Sequence, residues 1–207
     1  IPKHFIEQLS KPGNTVYEPF LGSGTTAVEA NILGRNAIGN DVNELAVVIS
    51  KVKTTPISIQ RLCTLDSLLN KISNRIHLLH SGKKNGIAKP DIVNLDLWFK
   101  DFVINELIII KEEIEKLTDK DLRDFCLVAF SGIIVNVSNQ ESDTRFAAIN
   151  KQIKPFKTFF EFSRKLEDMN NRIIEFSKKA SDSQIKVFTA DTQNMDFLED
   201  DSVDHIV

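Results

Sequence analysis

Cysteine is scarce in this sequence, and its two copies carry no metal or redox signature. Cys63 and Cys126 lack a Cys-x-x-Cys spacing and lie in apolar, helix-like surroundings. That pattern reads as buried free thiols in a reducing compartment, not as a disulfide framework. Long hydrophobic runs are missing too. None reaches the roughly 18 residues of a membrane span, and the N-terminus lacks the charged-then-apolar layout of a signal peptide. These absences point to the cytoplasm. Nor does one sign of charge dominate: the formal net charge is −3 over 207 residues. This excludes a globally basic nucleic-acid footprint while leaving room for a local basic face. An initiating methionine is also absent. The chain starts at Ile1 and stops within the strand-like "SVDHIV", so it is expected to be part of a longer protein.

What is present is an ordinary globular balance of 42% hydrophobic and 27% charged residues. The length suffices for one α/β domain or for a core with one large insertion. "PKHFIEQLS" predicts a short helix with Phe5, Ile6 and Leu9 on one side. "NTVYEPF", β-branched and aromatic and bounded by Pro-Gly, predicts a buried strand. A helix follows from Thr25 to Leu33 with Gly34 as its left-handed cap, then the strand "NAIGNDV" and the helix "NELAVVISKVK". This β-α-β-α order makes the two strands parallel.

The rhythm then breaks. Roughly 130 residues, from Pro56 to Ser183, carry helical periodicity and little strand character. One helix is expected from Ile59 to Leu79, followed by the polar loop "HSGKKNGIAKPD". A second is marked by Leu95, Trp98, Phe102, Ile109 and Leu117. A third, opened by the capping pattern "TDKD", runs through Leu122, Phe125, Ala129, Ile133 and Val137. A fourth runs through Phe156, Phe159, Phe160, Leu166, Ile173 and Phe176. "SNQESDTRFAAINKQIKP", between the last two, reads as an irregular loop. No fixed-period repeat links these helices. "IKVFTAD" and "VDHIV" then return to strand character, separated by the turn-rich "NMDFLEDDS". The expected organisation is therefore core at 1–55, helical insertion at 56–184 and a return to the core at 185–207.

In an open parallel sheet, ligands sit outside the carboxyl ends of the strands, where Gly22 and Gly24 fall. Glycines let the backbone approach a ligand, and the helix N-terminus offers free N–H groups to an anion. The turn "GSGTT" lacks the lysine of a nucleotide-triphosphate loop and the third glycine of a dinucleotide fingerprint. Asp41 ends the second strand about 20 residues beyond the turn, where a carboxylate can accept from both ribose hydroxyls. Asp191 ends a later strand and can accept from the exocyclic amine of an adenine. Each aspartate has a plain alternative as a solvated strand-end or capping residue. Together with the turn they describe a site for an adenosyl group without a diphosphate.

The run "EPFLGSGTTAVEANILGRNAIGNDVNE" closely resembles the cofactor motif of the amino-group DNA methyltransferases, DPFxGSGTTxxAAxxxGRxxIGxE, with about ten agreeing positions. "IPKHFIEQLSKPGN" resembles their segment over the methionine end of the cofactor, and "ADTQNMDFLEDDSVDHIV" the stretch leading into their catalytic loop. "WFKDFV" and "VSNQESDTRFA" resemble a subgroup with a helical insertion. The resemblance implies an α/β, Rossmann-like methyltransferase core with an incomplete parallel sheet and a large helical insertion. It implies methyl transfer from S-adenosylmethionine to N6 of adenine or N4 of cytosine, with duplex DNA as partner and neither metal nor membrane involved. It implies that Glu18, standing where the family has aspartate, organises the turn and faces the methionine amino group. Gly22, Ser23, Gly24 and Thr25 would then contact the amino-acid moiety, Asp41 the ribose hydroxyls and Asp191 the adenine amine, with Thr192 supplying a neighbouring backbone contact. Lys3, His4 and Phe5 would lie near the methionine end, and Phe20, Thr26 and Val42 complete the implied cofactor site. The family's catalytic tetrapeptide, Asp/Asn/Ser-Pro-Pro-aromatic, occurs nowhere in residues 1–207. It is expected beyond Val207, in a missing C-terminal portion or a partner subunit, so this chain alone is expected to be inactive.

In the insertion, Lys151, Lys154, Lys157, Arg164 and Lys165 flank Phe156 and Phe160. They read as a solvated face over an aromatic core, with a phosphate-tracking face as the alternative. Arg145 in the irregular loop is the candidate nucleic-acid contact; its alternative is a salt bridge to Asp143 or Glu141. Two other functions stay open at this point. One is an RNA base methyltransferase, which shares the same turn. The other is a non-catalytic fragment or split-enzyme subunit that binds S-adenosylmethionine.

Overall fold

A computed structural model describes residues 1–82 and 88–207. Among these, the elements in chain order are α1 (Pro2–Leu9), β1 (Thr15–Glu18), α2 (Thr25–Ile32), β2 (Asn36–Asp41), α3 (Glu44–Thr54), α4 (Ile59–Leu62), α5 (Thr64–His80), α6 (Leu95–Trp98), α7 (Asp101–Glu115), α8 (Lys120–Ser131), α9 (Ile134–Val137), α10 (Lys157–Lys179), β3 (Ile185–Thr189) and β4 (His205–Ile206). They form two compact units, one of residues 1–57 with 172–207 and the other of residues 58–171.

The first unit is built on a parallel sheet in the order β3-β2-β1-β4. The α/β character and the parallel pairing of the first two strands are as expected, and Tyr17 lies beside Ile38 while Asp41 lies beside Thr189. Alternation along the strands sends Val16 and Ala37 to one face, where they join Ile6, Leu21, Ala27 and Ala30 in a buried apolar cluster. Leu33, Ile185, Val187 and Val207 pack around it. Gly34 adopts φ +76° just after α2, the left-handed turn its position predicts. Arg35 is buried, and its guanidinium donates to the Ser10 hydroxyl, the Ser10 carbonyl and the Leu33 carbonyl. It thereby ties the end of α1 to the end of α2.

The second unit is helical. Its core includes Ile72, Ile76, Ile104, Ile110, Phe125 and Phe162. Three of the long helices expected from periodicity are divided. The Ile59–Leu79 helix changes at Cys63, where the Thr64 hydroxyl donates to the Arg61 carbonyl at 2.6 Å. The Leu95–Leu117 helix breaks at Phe99 and Lys100, which are extended. There the Leu97 and Trp98 carbonyls accept from the Asn139 side chain and backbone, so a tertiary contact takes acceptors that a continuing helix would use. The Leu122–Val137 helix breaks after Ser131, around Gly132. The cap of α8 is Asp119, which accepts from the Leu122 N–H, so the aspartate and not Thr118 closes that turn.

The irregular segment after α9 holds one antiparallel bridge, Gln140 to Ala148. Residues 83–87 of the expected polar loop lie outside the described residues. Cys126 is buried as expected, but Cys63 is exposed. Its place between α4 and α5 turns it away from the apolar side that periodicity assigns to its neighbours.

Candidate cofactor site

The carboxyl ends of β1, β2 and β3 carry the site. After β1 the chain turns through Gly22 at φ +49° and Gly24 at φ +78°, conformations that side chains with a Cβ rarely adopt. Space matters as well at Gly24. A Cβ built there would meet Ser50 Oγ at 2.5 Å and Ser50 Cα at 2.9 Å. From behind, α3 grips the turn: Ser50 Oγ donates to the Gly22 carbonyl at 3.0 Å and Lys53 Nζ to the Ser23 carbonyl at 2.8 Å.

Glu18 braces the turn across its two ends. One carboxylate oxygen accepts from the Phe20 N–H at 3.2 Å, the other from the Thr26 hydroxyl at 2.9 Å. Asp41 does the same from β2, accepting from the Gly22 N–H and the Asn43 N–H at 2.9 Å each. Asp191 is exposed and caps a turn, its Oδ1 accepting from the Gln193 N–H at 2.9 Å. Thr192 donates its hydroxyl to the Pro19 carbonyl at 2.7 Å.

Glu18 thus meets Thr26 and Asp41 meets Gly22, two pairs on one turn, and Thr192 reaches the same loop through Pro19. Ser23 and Thr25 are exposed, as are Phe20 and Val42, at 76% and 70%. Lys3, His4 and Phe5 stand exposed on α1, whose buried residue is Ile6. The His4 and Phe5 rings meet edge-on at 5.6 Å. A cavity of about 550 Å³ in the same unit, lined by Asn31, Lys51, Thr54, Ser181 and Ile185 among others, contains none of these residues. It lies by the amino end of β3, so geometry at the strand ends and not cavity size marks the site.

The arrangement suits an amino-acid-linked adenosyl group. The first turn of α2 has no side-chain acceptor at its cap, Gly24, so its N–H groups suit a carboxylate. Asp41 supplies acceptor oxygens for hydroxyls, and the exposed Phe20 and Val42 supply apolar surface. Among the described residues, no group of three His, Cys, Asp or Glu side chains is placed to hold a metal.

Periodicity and motif spacing did not single out Asn40, Tyr17, Ser50 or Lys53. Asn40 is fully buried in β2, and the short strand "NAIGND" gives no local sign that this amide, unlike Asn36, turns inward. Ser50 and Lys53 carry no such signal, because only the packing of α3 brings them to the turn. In the helical unit, Arg145 pairs with Glu141, Nε to Oε2 at 2.9 Å, and remains 72% exposed. Lys157 and Arg164 both pair with Glu161, and Lys151 donates to the Val135 carbonyl.

A parallel sheet with this turn, its uncapped helix and an acid ending the next strand defines a Rossmann-like methyltransferase core. Residues 1–52 match the family model described as DNA methylase, of the N6/N4 type. Over 201 residues the chain is 34% identical to the Type II methyltransferase M.MvaI of Kocuria varians, a match covering 95% of this chain and 40% of that protein. It is 36% identical over 70 residues to the Type II methyltransferase M.MjaII of Methanocaldococcus jannaschii, covering 33% of this chain and 13% of the relative. It is 48% identical over 46 residues to the Type II methyltransferase M1.MboII of Moraxella bovis, covering 20% of this chain and 18% of the relative. Each match thus covers less than half of the relative's length. No solved structure matches it. The kinship with the amino-group DNA methyltransferases that the turn implied is shown by these matches.

Proposed function

We propose that this chain is the cofactor-binding portion of an S-adenosylmethionine-dependent methyltransferase that modifies the exocyclic amine of a DNA base, N4 of cytosine or N6 of adenine. The observation that carries this reading is the convergence of Glu18 and Asp41 on one glycine turn at the strand ends, beside the uncapped start of α2. The Type II methyltransferase names of the relatives favour DNA over RNA and a place in restriction-modification.

S-adenosylmethionine, when bound, supplies an activated methyl on a sulfonium. The chain's part is to bind and orient. The Thr25 N–H, with the Ser23 and Thr25 hydroxyls, receives the carboxylate, and Glu18 faces the amino group. Gly24, whose own N–H donates to the Leu21 carbonyl, lets the backbone approach that carboxylate. Asp41 accepts from the ribose hydroxyls, Asp191 accepts from the adenine amine, and Phe20, Val42 and Thr192 border the base. Lys3, His4 and Phe5 close the methionine end. Alignment of the target amine falls to a Pro-Pro-aromatic loop outside residues 1–207, on a C-terminal portion or a partner subunit. Residues 56–184 serve as an inserted helical part between core segments 1–55 and 185–207, with Arg145 as its contact to DNA. The protein works in the cytoplasm; among the described residues no helix is long and apolar enough to cross a membrane.

The test is to incubate the full-length protein with isotopically labelled S-adenosylmethionine and either duplex DNA or transfer RNA, then identify the labelled nucleoside by mass spectrometry. N4-methylcytosine or N6-methyladenine from DNA is expected. Label in RNA alone sinks the DNA reading, and cofactor binding without any transfer would mark a non-catalytic role. Residues 1–207 by themselves are expected to transfer nothing.

A further inference from the structure

Asn40 is fully buried in β2, at a strand position where an apolar side chain is the usual occupant. Burying an amide costs free energy unless its groups are bonded, and here they are. Oδ1 accepts from the Tyr17 hydroxyl at 2.6 Å. Nδ2 donates to the Ala190 carbonyl at 3.0 Å and to the Thr192 hydroxyl at 3.1 Å. Thr192 passes the chain of bonds onward to the Pro19 carbonyl at 2.7 Å, and the Asn40 carbonyl accepts from the Leu21 N–H at 2.9 Å. One residue thus joins β1, the loop that follows it and the loop after β3.

Those two loops carry groups assigned above to different parts of the cofactor. Residues 22–25 are assigned to the amino-acid end and residues 191–192 to the adenine. A valine or isoleucine at position 40 would suit the strand, but it would leave the Tyr17 hydroxyl, the Ala190 carbonyl and the Thr192 hydroxyl without this partner. The Tyr17 phenol is itself buried, and burial together with the nearby Glu18 charge raises its pKa, so it stays protonated and donating. Its ring is braced at 6.5 Å by Phe197.

We propose that Asn40 is a positioning residue for S-adenosylmethionine, its amide setting the separation between the loop after β1 and the loop after β3. The proposal rests on the cofactor reading given above. A cofactor that bridges two loops is sensitive to their spacing, whereas DNA binding and the chemical step are not the direct business of this amide.

The experiment uses the full-length protein with Thr192→Val, Tyr17→Phe, their combination and Asn40→Leu, with Thr192→Ser as the conservative control. Melting curves, calorimetric binding of S-adenosylmethionine and steady-state rates on DNA are read for each. Each of the first two changes is expected to raise KM for S-adenosylmethionine about tenfold, leaving kcat and the KM for DNA within about twofold. Thr192→Ser keeps the hydroxyl and is expected to raise KM for S-adenosylmethionine by clearly less than Thr192→Val does. The combination is expected to cost well under the product of the single effects, because both hydroxyls act through one amide. Folded single variants with an unchanged KM for S-adenosylmethionine, or effects that multiply, overturn the positioning role and leave the cofactor reading intact. An unmutated protein that binds no S-adenosylmethionine overturns the cofactor reading and the positioning role with it. Should Asn40→Leu fail to fold, the two near-isosteric hydroxyl deletions decide the matter.

Discussion

The carboxylate of Asp41 accepts the backbone N–H of Gly22 at 2.9 Å, so the end of β2 holds the turn that follows β1. The same carboxylate accepts from the Asn43 N–H. Asp41 therefore shapes the turn, in addition to the ribose contact proposed for it. Asp41→Ala removes both roles, and calorimetry on the full-length protein is expected to show S-adenosylmethionine affinity reduced by at least about tenfold. Asp41→Asn keeps one acceptor and is expected to lose less. Wild-type affinity in the alanine variant would remove Asp41 from the site.

Gly24 meets two constraints at once. Its φ of +78° disfavours any Cβ, and the space a Cβ needs is taken by Ser50. Gly24→Ala is expected to cost about 3 kcal/mol, combining left-handed strain with overpacking. Denaturant unfolding measures it. Because the Ser50 Cα itself lies 2.9 Å from the built Cβ, truncating Ser50 to glycine is expected to rescue little. Full rescue would mean that the side chain alone sets the limit.

Arg61 and Asp119 form an ion pair, Nε to Oδ2 at 2.8 Å, in which Asp119 also caps α8. The hydrogen bond from Arg61, opposed by partial burial and aided by the Leu122 N–H, lowers the Asp119 pKa. A depressed carboxylate stabilises above its unfolded pKa of about 4 and loses that contribution as pH falls through the folded value. Asp119→Asn preserves the cap and removes the charge. Its destabilisation is expected to be about 0.5–1 kcal/mol near neutral pH, modest because both groups are about one-third exposed. It should shrink toward zero below about pH 4. Urea melts at several pH values test this, and a cost independent of pH would assign the effect to the cap.

The two thiols differ in exposure, and burial pushes Cys126 up to about 12. One thiol, Cys63, is expected to react with a disulfide reagent in native residues 1–207, and two after unfolding. Rapid labelling of both in the folded protein would contradict the packing around Cys126.

Arg145 is mostly exposed and pairs with Glu141 on its own loop. Arg145→Ala is expected to change stability by less than about 0.5 kcal/mol. If the side chain touches a phosphate, the variant should weaken DNA binding by the full-length protein and lower its salt dependence by roughly one counterion. Unchanged binding would confine Arg145 to its pair with Glu141.

Much of the core was legible because its signals are local. Gly34 sits where α2 must end, and alternation in "TVYE" separates Val16 from Tyr17 across the sheet. Gly22, Gly24 and Asp41 stood out because turn conformation and strand ends leave marks in a short window. The helical unit was less legible. Periodicity reports that residues face a core, but not whether the backbone hydrogen bonds continue, and Asn139 reaching the Leu97 and Trp98 carbonyls lies some forty residues away.

The sequence by itself determined that a parallel α/β element carries a glycine turn and a strand-end acid, since each needs only neighbouring residues and the φ they permit. Only the tertiary structure decided what Asn40, Ser50, Lys53 and Arg35 do. Each is a polar group whose partner comes from another element, and a hydrogen bond across elements exists only once packing brings donor to acceptor.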